Sequence, residues 1–180
     1  VSILGVPTAI GGSDAGVALA PQAVREAGLV RALQALDYEV ADLGDLPVDN
    51  SGADSKEKFG LVADLCRAIA GRVGAICRSD SMPLVIGGDH SLTIGVLAGL
   101  RPVRDPIGLI YFDAHGDYNT DRTTPSNNIH GMVVSACVGL GHPLLVNCCG
   151  IQPKVAQENV VLIGARDLDH EPAERADPLR

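Results

Sequence analysis

Short β-branched runs alternate along the chain with longer stretches whose apolar residues recur every three or four positions, the pattern of a parallel sheet covered by helices on both faces. Ser2–Val6, Tyr38–Leu43, Pro83–Ile86, Ile107–Phe112 and Asn159–Ile163 predict strands. Pro21–Leu36 predicts a single helix, with proline in its first turn and Val24, Ala27, Leu29, Val30, Leu33 and Leu36 on one side. The periodicity is clearest from Lys56 to Arg78. There Leu61, Val62, Leu65, Ile69, Val73 and Ile76 form an apolar stripe, and Lys56, Glu57, Asp64, Arg67 and Arg72 turn outward. Ser91–Leu100 and His130–Leu140 predict shorter helices, each just after a polar segment that follows a strand. Polar groups therefore gather beyond the carboxyl ends of strands, where open α/β sheets hold their ligands. The Gly11–Gly16 segment matches no phosphate-binding fingerprint and reads as a flexible loop bordering that crevice.

Composition narrows the partners. With 180 residues, 46% hydrophobic and 20% charged, the chain is expected to fold as one compact α/β body and lies outside the disordered regime. A net charge of −8 disfavours nucleic acid and anionic membrane surfaces and suits a cationic ligand. No apolar run approaches the roughly 20 residues of a bilayer span. The opening segment lacks the basic flank of a signal peptide, so the chain reads as soluble and cytoplasmic. Cys66, Cys77 and Cys137 fall on apolar positions of helical stretches, which fits a reducing compartment. Cys148 and Cys149 lack a metal-binding spacing and are assigned no chemistry.

Chemistry concentrates in two segments. Asp113, His115 and Asp117 follow an apolar run at i, i+2 and i+4, and in extended backbone alternate side chains share a face. Such crowding of charge needs a cation or hydrogen bonds to offset it. The plainer alternative makes Asp113 and Asp117 loop caps and His115 a satisfied buried histidine. In Gly87-Gly88-Asp89-His90-Ser91, two glycines permit a sharp turn and a histidine opens the next helix. Alone, His90 is more readily a helix-terminus histidine than a ligand. Together, His90, Asp113, His115 and Asp117 place two imidazoles and two carboxylates on one sheet rim. Nitrogen and oxygen donors without thiolate suit Mn²⁺ and, less selectively, Zn²⁺, Co²⁺ or Fe²⁺, which points to a metal-dependent hydrolase.

Gly87–Ser91 and Asp113–Asp117 resemble two signature motifs of the ureohydrolase family, binuclear manganese enzymes that include arginase, agmatinase, guanidinobutyrase and formimidoylglutamase. Ile3–Pro7 and Val161–Asp167 resemble that family's first strand and its later IGxRD strand, so the likeness covers nearly the whole chain. Within the family, Asn119-Thr120, Thr124, Ser126, Asn128, Ile129 and His130-Gly131-Met132 resemble the arginase substrate loop most closely. Val133 stands where many members have proline.

The resemblance implies a three-layer αβα fold with a mainly parallel sheet and a complete site holding two Mn²⁺. His90 and Asp117 would hold one ion, His115 the other, and Asp113 would bridge them. A metal-bridging hydroxide would then hydrolyse the guanidinium group of L-arginine to urea and L-ornithine. Asn119, Ser126 and Asn128, assisted by Thr124, would bind the α-carboxylate, Asp169 would face the α-amino group, and His130 would shuttle protons. The partner is then a small cationic guanidino compound, and the assembly a homo-oligomer, trimer or hexamer. Asn119, Ser126 and Asn128 equally suit turns.

The family's further Asp-x-Asp pair and its later glutamate have no counterpart here. Asp167-Leu168-Asp169 follows Ile163–Arg166 and so belongs to the IGxRD element. Residues 1–180 are therefore expected to form the N-terminal portion of a single arginase-like domain. Its sheet should be interrupted between the strand ending at Gly87 and the one ending at Asp113. Two dications facing only the carboxylates of Asp113 and Asp117 are underneutralised, so this chain alone is expected to hold one ion, on His90, Asp113 and Asp117, or none. The alternatives are a ureohydrolase acting on agmatine, a guanidino acid or formimidoylglutamate, and an inactive metal-binding fragment.

Overall fold

Strand β1 (Ser2–Val6) is buried at every position and lies between β2 (Ala41–Asp45) and β3 (Pro83–Gly87), both parallel to it. The computed structural model describes residues 1–51 and 55–168. Leu4 and Val6 pack against Leu65, Ile69, Val73 and Ile76 of the long helix α3 (Ser55–Arg78). Gly5, between them in sequence, faces the other way, toward Asp45 and Arg25 of α1 (Ala20–Glu26). The alternation of β1 thus sets α3 and α1 on opposite faces of the sheet, which is the layered α/β architecture the sequence predicts.

Edge strand β2 is exposed along its length, and Arg25 tethers it. Its Nε and Nη2 donate to the Asp42 carboxylate at 2.8 and 3.0 Å, and Nη1 to Asp45 at 2.5 Å. The paired guanidinium holds the Asp42 carboxyl below its ordinary range.

A second parallel pair, β4 (Leu109–Phe112) and β5 (Val160–Ile163), aligns Ile110 with Val161 and Phe112 with Ile163. Leu109, Tyr111, Val160 and Leu162 face a core shared with α3, α4 (Leu92–Leu100) and α5 (Val133–Val138). Ile110 and Phe112, by contrast, are 65% and 75% exposed on the other face. Among the described residues no hydrogen-bonded pairing joins β3 to β4, so the sheet is interrupted where the sequence predicts.

Several boundaries differ from expectation. Pro21–Leu36 is two helices, α1 and α2 (Leu29–Gln34), because Gly28 between them takes a left-handed φ of 97°. The second strand begins at Ala41 rather than Tyr38, since the chain first closes α2 with bonds from Asp37 N–H to Gln34 O and from Tyr38 N–H to Leu33 O. His130–Leu140 splits into a 3-10 turn (Ile129–Met132) and α5. The backbone of the turn is drawn elsewhere: His130 N–H donates to Gly11 O, and Gly131 O accepts from Asn119 N–H. The glycine-rich loop runs into a 3-10 turn (Ala15–Leu19) capped by Asp14. A short helix α6 (Pro143–Val146) was not foreseen, nor was the full burial of Lys154, whose Nζ donates to the carbonyls of Leu145, Val146 and Ile151. The five cysteines are free thiols, four of them buried. Among the described residues no helix is long and apolar enough to cross a membrane.

Candidate metal centre

The first candidate ligand is placed by a tight turn. Gly88 lies so near β1's exit that a Cβ would sit 1.8 Å from the Thr8 carbonyl oxygen, a position only glycine can occupy. Asp89, buried beneath, accepts from the backbone N–H of Gly11 at 3.0 Å and of Ser91 at 2.9 Å. Between this locked turn and α4, His90 projects half-exposed.

The carboxylates come from the far sheet. Asp113 follows β4, and its N–H extends the ladder to Ile163 O at 3.0 Å. Asp117 arrives through a left-handed residue conformation of its own, φ 48°, and its carbonyl accepts from Val134 N–H at the start of α5. Both carboxylates are nearly buried.

These three side chains converge. His90 Nδ1 lies 3.0 Å from Asp113 Oδ2 and 3.1 Å from Asp117 Oδ2, and one ligand atom from each residue falls within 4.8 Å of the others. The contact of His90 with Asp113 has ion-pair distance without hydrogen-bond geometry, and Asp113 Oδ2 is buried with no hydrogen-bond donor. A buried carboxylate oxygen left bare in this way is costly unless a cation faces it. Nitrogen plus hard oxygen donors, one of them unpartnered, fit a small divalent ion. The hydrogen bond to Asp117 raises the His90 pKa against the opposing effect of burial. Burial pushes the Asp113 carboxyl up, but the His115 N–H and the neighbouring imidazoles outweigh it and leave it lowered.

His115 stands outside this trio. Its Nδ1 is 3.2 Å from the other Asp113 oxygen, Oδ1, which also accepts from the His115 backbone N–H at 2.9 Å. The strand-alternation argument for Asp113, His115 and Asp117 is therefore corrected: β4 ends at Phe112, and the following residues form a loop that brings Asp117 round by its turn. Asp113 nonetheless offers one oxygen to each side.

An open cleft of about 350 Å³ is walled by Gly12, His90, Asp113, His115, Asp117 and His130. Asn119, Thr124, Ser126 and Asn128 lie apart from those walls, in the loop that follows. Asn119 is buried and its Oδ1 accepts from the Thr123 hydroxyl at 2.9 Å. Thr124 Oγ1 accepts from Asn127 N–H and Ser126 Oγ from Asn128 N–H, which is turn chemistry. Asp169 falls outside the described residues.

One neighbour escaped the sequence reading. The buried Tyr111 hydroxyl donates to Asp117 Oδ2 at 2.7 Å and lies 2.9 Å from His90 Nδ1. Its signal was partial: alternation along β4 sets Tyr111 on the face opposite Ile110 and Phe112, but the turn that brings Asp117 to it is not encoded in spacing.

Comparison with known proteins gives a consistent result. Residues 1–179 match the model of the arginase family. Over 175 residues the chain is 42% identical to the arginase of Bacillus caldovelox, a match covering 94% of this chain and 58% of that protein. The crystal structure of arginase from Bacillus subtilis superposes with a TM-score of 0.88 at 43% identity, covering 97% of this chain and 58% of that one. An Entamoeba histolytica arginase solved in complex with L-ornithine gives 0.73 at 27% identity, covering 94% and 59%. The chain thus spans less than two thirds of the length of these relatives.

Proposed function

The chain belongs to the arginase family, and from that premise we propose that it supplies the His90–Asp113–Asp117 side of a manganese site in an enzyme that hydrolyses the guanidinium group of L-arginine to urea and L-ornithine. The observation that carries the reading is the convergence of those three ligands around a bare, buried Asp113 oxygen. A divalent ion held there supplies a water acidic enough to act as nucleophile near neutral pH. His115, beside the opposite Asp113 oxygen, would be the residue to hold a second ion, with Asp113 able to serve both. His130 faces the same cleft, where an imidazole can carry the proton that the departing amine requires.

Arginine as substrate draws support from the L-ornithine held by the amoebal relative and from the likeness of the Asn119–His130 loop. In that reading Asn119, Thr124, Ser126 and Asn128 bind the α-carboxylate and Asp169 the α-amino group. Residues 1–180 then form the N-terminal portion of one arginase-like domain, in a cytoplasmic trimer or hexamer.

A second reading, metal binding without turnover, is favoured by the fact that only three ligand atoms converge among the described residues. Metal analysis of the purified full chain, with urea release from arginine and agmatine, separates the two. Bound manganese with urea formed faster from arginine, both lost in Asp117→Asn, supports arginase chemistry. Faster agmatine turnover reassigns the substrate. At most one ion, with no urea from any guanidine, selects the second reading.

A further inference from the structure

We propose that Tyr111 is a positioning residue of the metal centre, its hydroxyl fixing Asp117 and His90 in the orientation in which both point at the ion's place; the inference rests on the metal-site reading above. Three contacts converge on this pair from one side chain. The phenol O–H donates to Asp117 Oδ2 at 2.7 Å, and Oδ2 is the atom that belongs to the ligand trio. The phenol oxygen also lies 2.9 Å from His90 Nδ1, again the candidate ligand atom. The phenol ring meets the imidazole edge to face, with centroids 5.6 Å apart and planes at 75°.

The fold gives these contacts force. Tyr111 is 8% exposed, and Leu162, its partner across the β4–β5 pair, packs against the same core, which restrains the ring from following a wandering carboxylate. Asp117 needs such a guide, because it sits on a loop whose path depends on a left-handed residue, whereas Asp113 is fixed by the strand ladder and by the His115 N–H. Donation to Oδ2 also draws charge from one of two carboxylates that crowd a single imidazole, so they remain together before a cation arrives. Hydrogen bonds that orient metal ligands contribute about 10- to 100-fold to affinity.

Tyr111→Phe removes the hydroxyl and keeps the ring. In the full chain, Mn²⁺ titration by calorimetry is expected to show affinity weakened about tenfold or more. The ring-nitrogen NMR signals of His90 in the metal-free protein should shift while those of the other histidines stay in place, a change that a general loosening of the fold would not produce. Manganese affinity within twofold of the parent, or unmoved His90 signals, overturns the proposal. A parent chain that takes up no divalent ion defeats the metal reading instead, and the NMR comparison still decides the role of Tyr111. Should the phenylalanine variant fail to fold, the Tyr111 hydroxyl proton of the parent serves: slow solvent exchange supports the proposal and rapid exchange overturns it.

Discussion

At Gly88 a single missing methyl group decides where a candidate metal ligand points. A Cβ there would lie 1.8 Å from the Thr8 carbonyl oxygen, which is backbone and cannot step aside cheaply. Gly88→Ala must therefore push the Gly87–Ser91 turn away from β1, breaking the alignment of Asp89 with the Gly11 and Ser91 amides. The expected cost is about 1–3 kcal/mol, typical of overpacking, seen as a lower midpoint of thermal denaturation. Because His90 follows directly, manganese affinity should fall too. Gly87→Ala is a poorer probe, since its Cβ would meet the movable end of Leu92. Lys154 makes a different point at the same scale. Its burial among three carbonyls could not be read from its type, because lysine is ordinarily exposed and its acceptors belong to the ends of separate short elements.

Among elements, those with a single dominant periodicity were legible. β1, β3 and α3 appear where their apolar positions place them, since each buries one well-defined surface. Periodicity failed where backbone geometry overrode it: at Gly28, which divides one apolar stripe into two helices, and beyond Phe112, where the alternation of β4 was carried into a loop. Of the four motif residues, His90, Asp113 and Asp117 converge in the structure, whereas the placement of His115 beside them depends on turns that spacing does not encode. The tether of β2 by Arg25 yields a prediction with a definite sign. Asp42 has a lowered pKa in the folded chain, so it binds more protons when unfolded, and its contribution to stability is present above an ordinary carboxylate pKa of about 4 and lost as pH falls through the folded value. Arg25→Met should flatten the decline of thermal stability below about pH 4 while lowering stability at neutral pH by about 1 kcal/mol or less, since the pair is partly solvated. An unchanged slope of melting temperature against pH would contradict the assignment.

Across the whole molecule, two separately hydrogen-bonded sheets pack into two apolar clusters that α3 contributes to and so connects. Their outward faces differ: β2 carries charge, whereas β4 and β5 present Ile110, Phe112, Val161 and Ile163 in register to solvent. The candidate centre straddles this division, with His90 issuing from the first sheet and Asp113 and Asp117 from the second. An ion gripped by all three would rivet two slabs that, among the described residues, no strand-to-strand hydrogen bond joins. Loading should then make their melting more concerted, raising stability by about 2.7 kcal/mol at a hundred times the dissociation constant. Scanning calorimetry with and without a chelator reads this directly: a broad transition that sharpens and climbs with manganese is expected, and an unaltered thermogram would mean the slabs are already welded by their shared helices.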